Sequence, residues 1–285
     1  MSITNQIKTV ILLGLLTALL LWVGSFWGAN GITFAFAFVL LMNGLSYFFS
    51  DKLVLMMYKA KEIQKKDNAK LHKMVEDVVK ASGIPKPKIY LIPSEQPNAF
   101  ATGRSPKHAA IAYTKGILEL LTEEELKGVT AHEISHVKNR DILIGTIAGV
   151  IAGVIGYVAA MARWTAMFGG FGGRDNDNRG GGLLELIVLG ILMPLIATLI
   201  QLAISRSREY MADETGARTI KDSKHLASAL KKIEAAGKHL PMRLGNPQTA
   251  HLFISNPFRM KGLLSLMSTH PPVEERVKRL NGMKF

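Results

Sequence analysis

Residues 122–162 read TEEELKGVTAHEISHVKNRDILIGTIAGVIAGVIGYVAAMA, a polar helix-forming stretch that leads into a long apolar run. Thr122 and Glu125 form a capping box, the sequence signature of a helix start. Because His132 and His136 are four residues apart, they lie one turn apart on the same face of this helix. The apolar run that ends the stretch is long enough to span a bilayer. The sequence therefore predicts a helix that presents two histidines close to a membrane surface.

The two histidines belong to the motif H-E-x-x-H, which is typical of a zinc site. Two imidazoles one turn apart can both bind one ion at about 2.0–2.1 Å. Glu133 is rotated about 100° from His132 around the helix, so its carboxylate can reach a water on the metal and act as general base. The chain has no cysteine, so its metal ligands must be His, Asp or Glu. We expect one Zn²⁺ per chain, bound by His132 and His136, with Glu133 as the catalytic base.

A catalytic zinc takes three protein ligands and keeps one position open. Glu209 and Asp213 are four residues apart, directly after another apolar run, so they share one face of a predicted helix. One of them can bind the metal while the other accepts the outward N–H of a ligand histidine. Glu209 lies nearer the membrane end and is the better-placed ligand, with Asp213 as the acceptor. Asp141 is not expected to be a ligand because it ends the helix of the two histidines.

Four apolar runs predict a multi-pass membrane protein. A spanning helix needs about 20 apolar residues, and the predicted spans are residues 10–28, 32–49, 142–162 and 183–204. A turn at 29–31 joins the first two, and the first run is too long for a signal peptide. The chain is 48% hydrophobic and 20% charged, below the roughly 25% charged of soluble domains. The chain is accordingly divided into an N-terminal transmembrane hairpin, a polar domain in two parts and a second hairpin between them: 1–50, 51–141 with 205–285, and 142–204.

The basic residues predict the orientation of the chain in the membrane. The formal net charge is +13, and most Lys and Arg near the span ends lie in the N-terminal residues and the two polar segments. By the positive-inside rule, both termini and the polar domain are expected in the cytoplasm. Arg206 and Arg208 are expected to contact lipid headgroups. No nucleic-acid motif accompanies the charge, so nucleic acid is not an expected partner.

The polar segments show the patterns of a small α+β domain. Helices are predicted around 71–79 and 123–137, and in the second segment over 205–217, 224–236 and 272–280. Short alternating runs at 88–92, 98–102 and 109–114 predict a small sheet. The glycine-rich segment 169–182 is expected to be a loop on the far side of the membrane.

Four motifs together resemble one metallopeptidase family, that of the bacterial heat-shock membrane protease and the CAAX prenyl protease. They are HEISH at 132–136, the later E-x-x-x-D at 209–213, NAFATG at 98–103 and HPPVEER at 270–276. The resemblance covers the whole chain and implies a mainly α membrane protein with four transmembrane helices and a gluzincin-like α+β cytoplasmic metalloprotease domain. It implies a zinc endopeptidase of the bacterial inner membrane that cleaves misfolded or damaged membrane proteins, alongside other quality-control proteases. In that family the residue at Glu209 is the third zinc ligand.

The resemblance also suggests roles for residues outside the metal site. Asn98, Ala99 and Phe100 resemble the edge strand on which the substrate lies extended, although an ordinary structural strand would look the same. His270 is expected to stabilise the developing oxyanion, and Arg276 to orient it or to pair with a carboxylate. Alternatively, the HPP sequence at 270–272 only caps the last helix.

A non-enzymatic membrane scaffold or transporter subunit is the alternative function. Such a protein would need ionisable residues inside its spans. The four runs contain almost none, since Glu185 lies at the start of the fourth run and Asn43 and Gln201 are uncharged. This absence favours the enzyme.

Overall fold

The computed structural model describes residues 28–139, 141–143, 206–237, 253–254 and 271–285, with single helical positions between 11 and 25. Several predictions fall outside the described residues, wholly or for most of their length: the spans 10–28, 142–162 and 183–204, the loop 169–182, and His270.

The second apolar run forms α1, a helix from Gly28 to Met57. Gly28 has a φ of +67°, in the left-handed region that glycine adopts without strain. The predicted turn at 29–31 is wrong, since these residues form the first turn of α1, where the Thr33 hydroxyl donates to the Ala29 carbonyl. The helix also continues past residue 49, because its last turns are buried against the sheet. Among the described residues, no helix is both long enough and apolar enough to cross a membrane.

The sheet has four strands in the order β1-β2-β4-β3. Their bounds are β1 Lys61–Glu62, β2 Lys88–Ile92, β3 Ala99–Gly103 and β4 Ala109–Thr114. β2 and β4 are parallel, whereas β1–β2 and β3–β4 are antiparallel, so the sheet is mixed. The three predicted strands are confirmed, and the two-residue β1 was not predicted. β3 lies at the edge of this sheet.

Six further α-helices are formed by the described residues: α2 Ala69–Ser82, α3 Lys115–Leu120, α4 Glu123–Asn139, α5 Arg206–Ile220, α6 Lys224–Gly237 and α7 Val273–Asn281. α2 begins at Asn68, whose side chain accepts from the Leu71 N–H, and ends at Gly83 in the left-handed conformation. The predicted helices of both polar segments are therefore confirmed, with their ends shifted by a few residues.

α4 lies at the centre of the domain, and most of its residues are buried. It packs against α2, α5, α6 and β3, and the main apolar core surrounds it. α5 packs tightly against it at Gly216, where a Cβ would lie 2.9 Å from both the Ala131 carbonyl carbon and the His132 nitrogen. Only glycine allows this approach. Glu209 lies two turns before Gly216, so the close packing brings it beside the two histidines.

Candidate metal centre

Three side chains from α4 and α5 converge on one point. Nε2 of His132 lies 3.1 Å from Nε2 of His136. The carboxylate oxygens of Glu209 lie 3.7 Å from Nε2 of His132 and 3.5 Å from Nε2 of His136. Donors at about 2.0–2.1 Å from a tetrahedral zinc would lie roughly 3.3–3.4 Å from one another. The three side chains are thus positioned to bind a metal ion.

The charges around this point also suit a divalent cation. The described carboxylates of the site are all buried: Glu133, Asp141, Glu209 and Asp213. Two guanidinium groups, those of Arg276 and Arg208, interact with them. With the histidines neutral and all four carboxylates ionised, the state that metal binding and a general base require, the two guanidiniums leave two negative charges unbalanced. Such a buried excess is costly without a compensating cation, so the donor set fits Zn²⁺.

The two histidines differ in their protonation. Burial lowers the pKa of His132, so its ring is neutral at pH 7 and can act as a ligand. Burial also lowers the pKa of His136, but the carboxylates of Asp141 and Glu209 outweigh this and raise it to about 10. The surroundings of His136 therefore favour a positive charge at this point, as a proton on the ring or as a bound cation.

The outward nitrogen of each histidine meets a carboxylate. Nδ1 of His132 lies 2.9 Å from Oδ1 of Asp213. Arg276, which is 1% exposed, donates to both oxygens of Asp213 at 2.8 and 2.7 Å. Burial raises the pKa of Asp213, but Arg276 and His132 outweigh it and hold that pKa at about 2. Asp213 therefore remains charged and orients His132, and Arg276 pairs with this carboxylate.

Asp141 contacts the outward nitrogen of His136 in the same way, a role that was not predicted from the sequence. Its Oδ2 lies 3.0 Å from Nδ1 of His136. Asp141 follows the last residue of α4 by two positions, and its N–H donates to the His136 carbonyl. One signal in the sequence could have identified it. A carboxylate at the start of an apolar run has to be paired, and the nearest preceding histidine is five residues away.

Arg208 also differs from its prediction. Its expected contact, like that of Arg206, is with the lipid headgroups. Arg206 is exposed, but both terminal nitrogens of Arg208 are buried. Burial lowers the pKa of Arg208, and the charges of Asp141 and Glu209 raise it. The guanidinium of Arg208 is thus buried within the electrostatic influence of the site carboxylates, unlike that of Arg206.

Glu133 lies between the metal site and the edge strand. It is 3% exposed, and its Oε2 accepts a hydrogen bond of 2.9 Å from the Ala101 N–H of β3. Burial, together with the nearby charge of Glu209, raises the pKa of Glu133 to about 8. A carboxyl group with this pKa can exchange a proton near neutral pH.

The predicted substrate strand is buried. Asn98, Ala99 and Phe100 are each 0% exposed. The Asn98 side chain accepts from the Ala99 N–H, and the Phe100 ring packs at 5.0 Å between centroids against Phe253. The Ala99 carbonyl accepts a hydrogen bond of 3.1 Å from the Ile254 N–H. The edge of β3 therefore already binds main-chain groups of another segment, and its side chains point into the core.

Comparisons with known proteins agree with the function that the geometry of the site indicates. The sequence model of Peptidase family M48 matches residues 65–284. A protein named Protease HtpX homolog from Syntrophotalea carbinolica is 52% identical over 280 residues, which covers 98% of this chain and 99% of that protein. The protein of the same name from Pyrococcus furiosus is 50% identical over 281 residues, covering 98% and 96%.

Among solved structures, the crystal structure of S. mikatae Ste24p is similar, with a TM-score of 0.52 and 20% sequence identity. The similarity covers 98% of this chain and 66% of Ste24p. At this identity the similarity concerns the fold alone.

Proposed function

The chain belongs to peptidase family M48 and is a zinc metalloprotease, and we propose that it is an endopeptidase of the bacterial inner membrane that cleaves misfolded or damaged membrane proteins. The observation that carries the catalytic part is the convergence of the His132, His136 and Glu209 donors beside a buried Glu133. The alternative of a non-enzymatic scaffold or transporter subunit has no support from the relatives.

In the proposed mechanism, His132, His136 and Glu209 hold the zinc. When bound, the ion polarises the peptide carbonyl and lowers the pKa of a water ligand toward about 7. Glu133 takes a proton from the attacking water and returns it to the leaving nitrogen.

The neighbouring residues keep the site in its reactive geometry. Asp213, itself held by Arg276, fixes the tautomer of His132 so that Nε2 faces the metal. His270 is proposed to donate to the oxyanion that develops on the substrate carbonyl.

We further propose that the substrate main chain adds to the edge of β3. The side chains of Asn98, Ala99 and Phe100 are buried, so this segment can offer only main-chain groups. The hydrogen bond from the Ile254 N–H to the Ala99 carbonyl supports the proposal, since it is the kind of contact that an extended peptide would make. A bound peptide would replace Ile254 there and bring its scissile bond toward Glu133.

The membrane location is proposed from the apolar runs and the charge. The described part of α1 also supports it, because Phe34, Leu40 and Leu41 are each more than half exposed. Such side chains on one helix are typical of a surface that contacts lipid or protein. In this proposal the two hairpins 1–50 and 142–204 span the membrane, and the protease domain faces the cytoplasm.

The proteolytic function is tested by incubating the purified full-length protein with an unfolded membrane protein. We expect cleavage with zinc, loss of cleavage with a chelator, and recovery when zinc is restored. The absence of cleavage by fully zinc-loaded protein would contradict the proposed function.

The orientation is tested separately, since the native chain has no cysteine. Single cysteines at Ser94 and Lys224, which are at least partly exposed, should react with an impermeant thiol reagent only after the inner membrane is permeabilised. A cysteine at Asn176 should react without permeabilisation. Labelling of Ser94→Cys in cells with an intact inner membrane would place the protease domain on the other side.

A further inference from the structure

The two ligand histidines have unequal surroundings in the described structure. On the His132 side the contacts form a complete chain: Arg276 donates twice to Asp213, and Asp213 contacts Nδ1 of His132. These three residues are at most 4% exposed. The carboxylate thus has a partner on each oxygen, and the ring of His132 is held in one orientation.

On the His136 side, the series of contacts among the described residues ends at the aspartate. Oδ2 of Asp141 contacts Nδ1 of His136 at 3.0 Å. Oδ1 of the same carboxylate is buried and has no hydrogen-bond partner among the described residues. A buried acceptor without a donor is unfavourable, and a buried carboxylate oxygen more so. The site therefore has a place for one more donor.

Arg208 carries the matching donors. Both of its terminal nitrogens are buried, and within the described part of the chain neither has a hydrogen-bond partner. The residue precedes Glu209 on α5, and its charge interacts with Asp141 and Glu209. A buried guanidinium is rare unless it is paired with an anion, and Arg suits a carboxylate because of its planar fork. Donor and acceptor are therefore complementary in charge and lie on neighbouring elements.

We infer that Arg208 is a positioning residue that donates to Oδ1 of Asp141 in the zinc-bound enzyme, so that the chain Arg208–Asp141–His136 holds the second histidine as Arg276–Asp213–His132 holds the first. The inference rests on the proposed zinc site. Arg208 and Arg276 would then each act on one ligand histidine through one aspartate.

Two other partners for these groups have to be distinguished from this one. Nδ2 of Asn139 is also buried, has no hydrogen-bond partner in the part of the chain that the structure describes, and could donate to Asp141 instead. Arg208 could also bind the substrate directly. In the first case Asn139, rather than Arg208, would control zinc affinity. In the second case Arg208 would change KM and leave zinc affinity unaltered.

The experiment measures zinc affinity of the purified full-length protein by competition with a chromophoric chelator. Arg208→Gln and Asp141→Asn should each weaken zinc binding about 10–100-fold, the usual cost of losing such a partner. The double variant should bind zinc about as well as Asp141→Asn alone, because both substitutions break the same chain. Arg208→Lys should recover part of the loss. Arg206→Gln, which removes an exposed charge two residues away on the same helix, should bind zinc as the wild type does.

Cobalt substitution gives a second readout, which a general loss of stability would not change. Arg208→Gln should alter the visible spectrum of bound Co²⁺, since the orientation of His136 changes, whereas Arg206→Gln should not. Equal zinc affinity and equal spectra for Arg208→Gln and the wild type would overturn the inference, as would a full effect in Asn139→Ala with none in Arg208→Gln. A raised KM with unchanged zinc affinity would assign Arg208 to the substrate. Failure of the wild type to bind zinc would instead contradict the proposed function.

Discussion

The two ends of α4 are stabilised in different ways. At its first turn, the Thr122 N–H donates to Glu125 and the Glu125 N–H donates back to Thr122, so the cap is made by residues three apart. At the other end, His132 and His136 contact carboxylates from α5 and from Asp141, two residues past the end of the helix. The first end is thus capped by nearby residues, whereas the second end forms a reactive site with residues from more distant segments.

This difference explains the charge at each end. Glu125 has partners on both oxygens, since Ser228 donates to one and Lys232 to the other. The carboxylates around the histidines outnumber the guanidiniums. Burial, together with the charge of Glu209, raises the pKa of Glu133, and at His136 the charges of Asp141 and Glu209 outweigh burial and raise the pKa. At the first turn of α4, the structural end, Glu125 is paired within the protein. The end with the histidines, the metal end, keeps an excess of negative charge that suits a metal ion. Substitutions at the two ends should therefore affect different measurements.

The largest effect is expected for the ligand itself. Glu209→Ala should give largely metal-free, inactive protein, because one of three ligands is lost. Asp213→Ala should retain zinc with about 10–100-fold weaker affinity and reduced activity. Metal analysis after gel filtration distinguishes the two. The reverse order would exchange the roles of the two carboxylates.

Glu133→Gln should lower peptide hydrolysis about 10²–10⁴-fold without loss of zinc, because the general base is removed and the ligands remain. Glu124→Gln is the matched control, the same substitution at an exposed position in the first turn of α4. It should leave both activity and zinc content unchanged. Comparable turnover by Glu133→Gln and the wild type would contradict the proposed mechanism.

Gly216→Ala should weaken the metal-binding end of α4 solely by disturbing the packing of α5 against α4. Its Cβ would meet the backbone at Ala131 and His132 at 2.9 Å, so α5 must move away from α4. Overpacking of this kind typically costs about 1–3 kcal/mol. We expect both a lower thermal midpoint and weaker zinc binding. Gly237→Ala, whose Cβ has room, is the control; unaltered zinc affinity in Gly216→Ala would show that this contact does not position Glu209.

Thr122→Ala should affect the structural end only. Loss of the capping hydroxyl typically costs about 1 kcal/mol, or roughly 2–4 °C in the thermal midpoint of a chain of this size. Zinc affinity should stay at the wild-type value. A change in zinc affinity larger than the change in stability would mean that the two ends of α4 are coupled.

The smallest expected effect is on the pH dependence of folding stability, through Glu125. Burial raises its pKa, but the hydrogen bonds from Lys232 and Ser228 outweigh this, so the pKa lies below the usual 4.5. Its charge therefore stabilises the fold above about pH 4.5, and this contribution is lost as the pH falls through that value and below it. Glu125→Gln should be less stable than the wild type at pH 7, by less than about 1 kcal/mol. Denaturant unfolding should show the difference vanishing in acid, whereas exposed Glu123→Gln should show no such trend.

Much of the fold could be predicted because its signals are local. The strands at 88–92 and 109–114 and the capped helix at 123 follow from alternation and from residues three or four apart. β1 was missed because two residues carry no periodicity, and it exists only through its pairing with β2. The turn at 29–31 was wrong because Gly28, with its left-handed φ, is itself the first residue of α1, so the helix already includes residues 29–31.

The residues of the site can likewise be divided into those that the sequence predicts and those that only the tertiary structure determines. Helical spacing alone brings His132 and His136 to one face, and it also puts Glu209 and Asp213 on one face of a second helix. Spacing does not decide which carboxylate meets which nitrogen, because 72 residues lie between His136 and Glu209. That choice depends on the close contact of α5 with α4 at Gly216. The burial of the terminal nitrogens of Arg208 also depends on the tertiary structure, whereas Asp141 meets His136 locally, five residues along the chain. Periodicity is a property of a few adjacent residues, whereas the partner of a buried charge is chosen by the packing of whole helices.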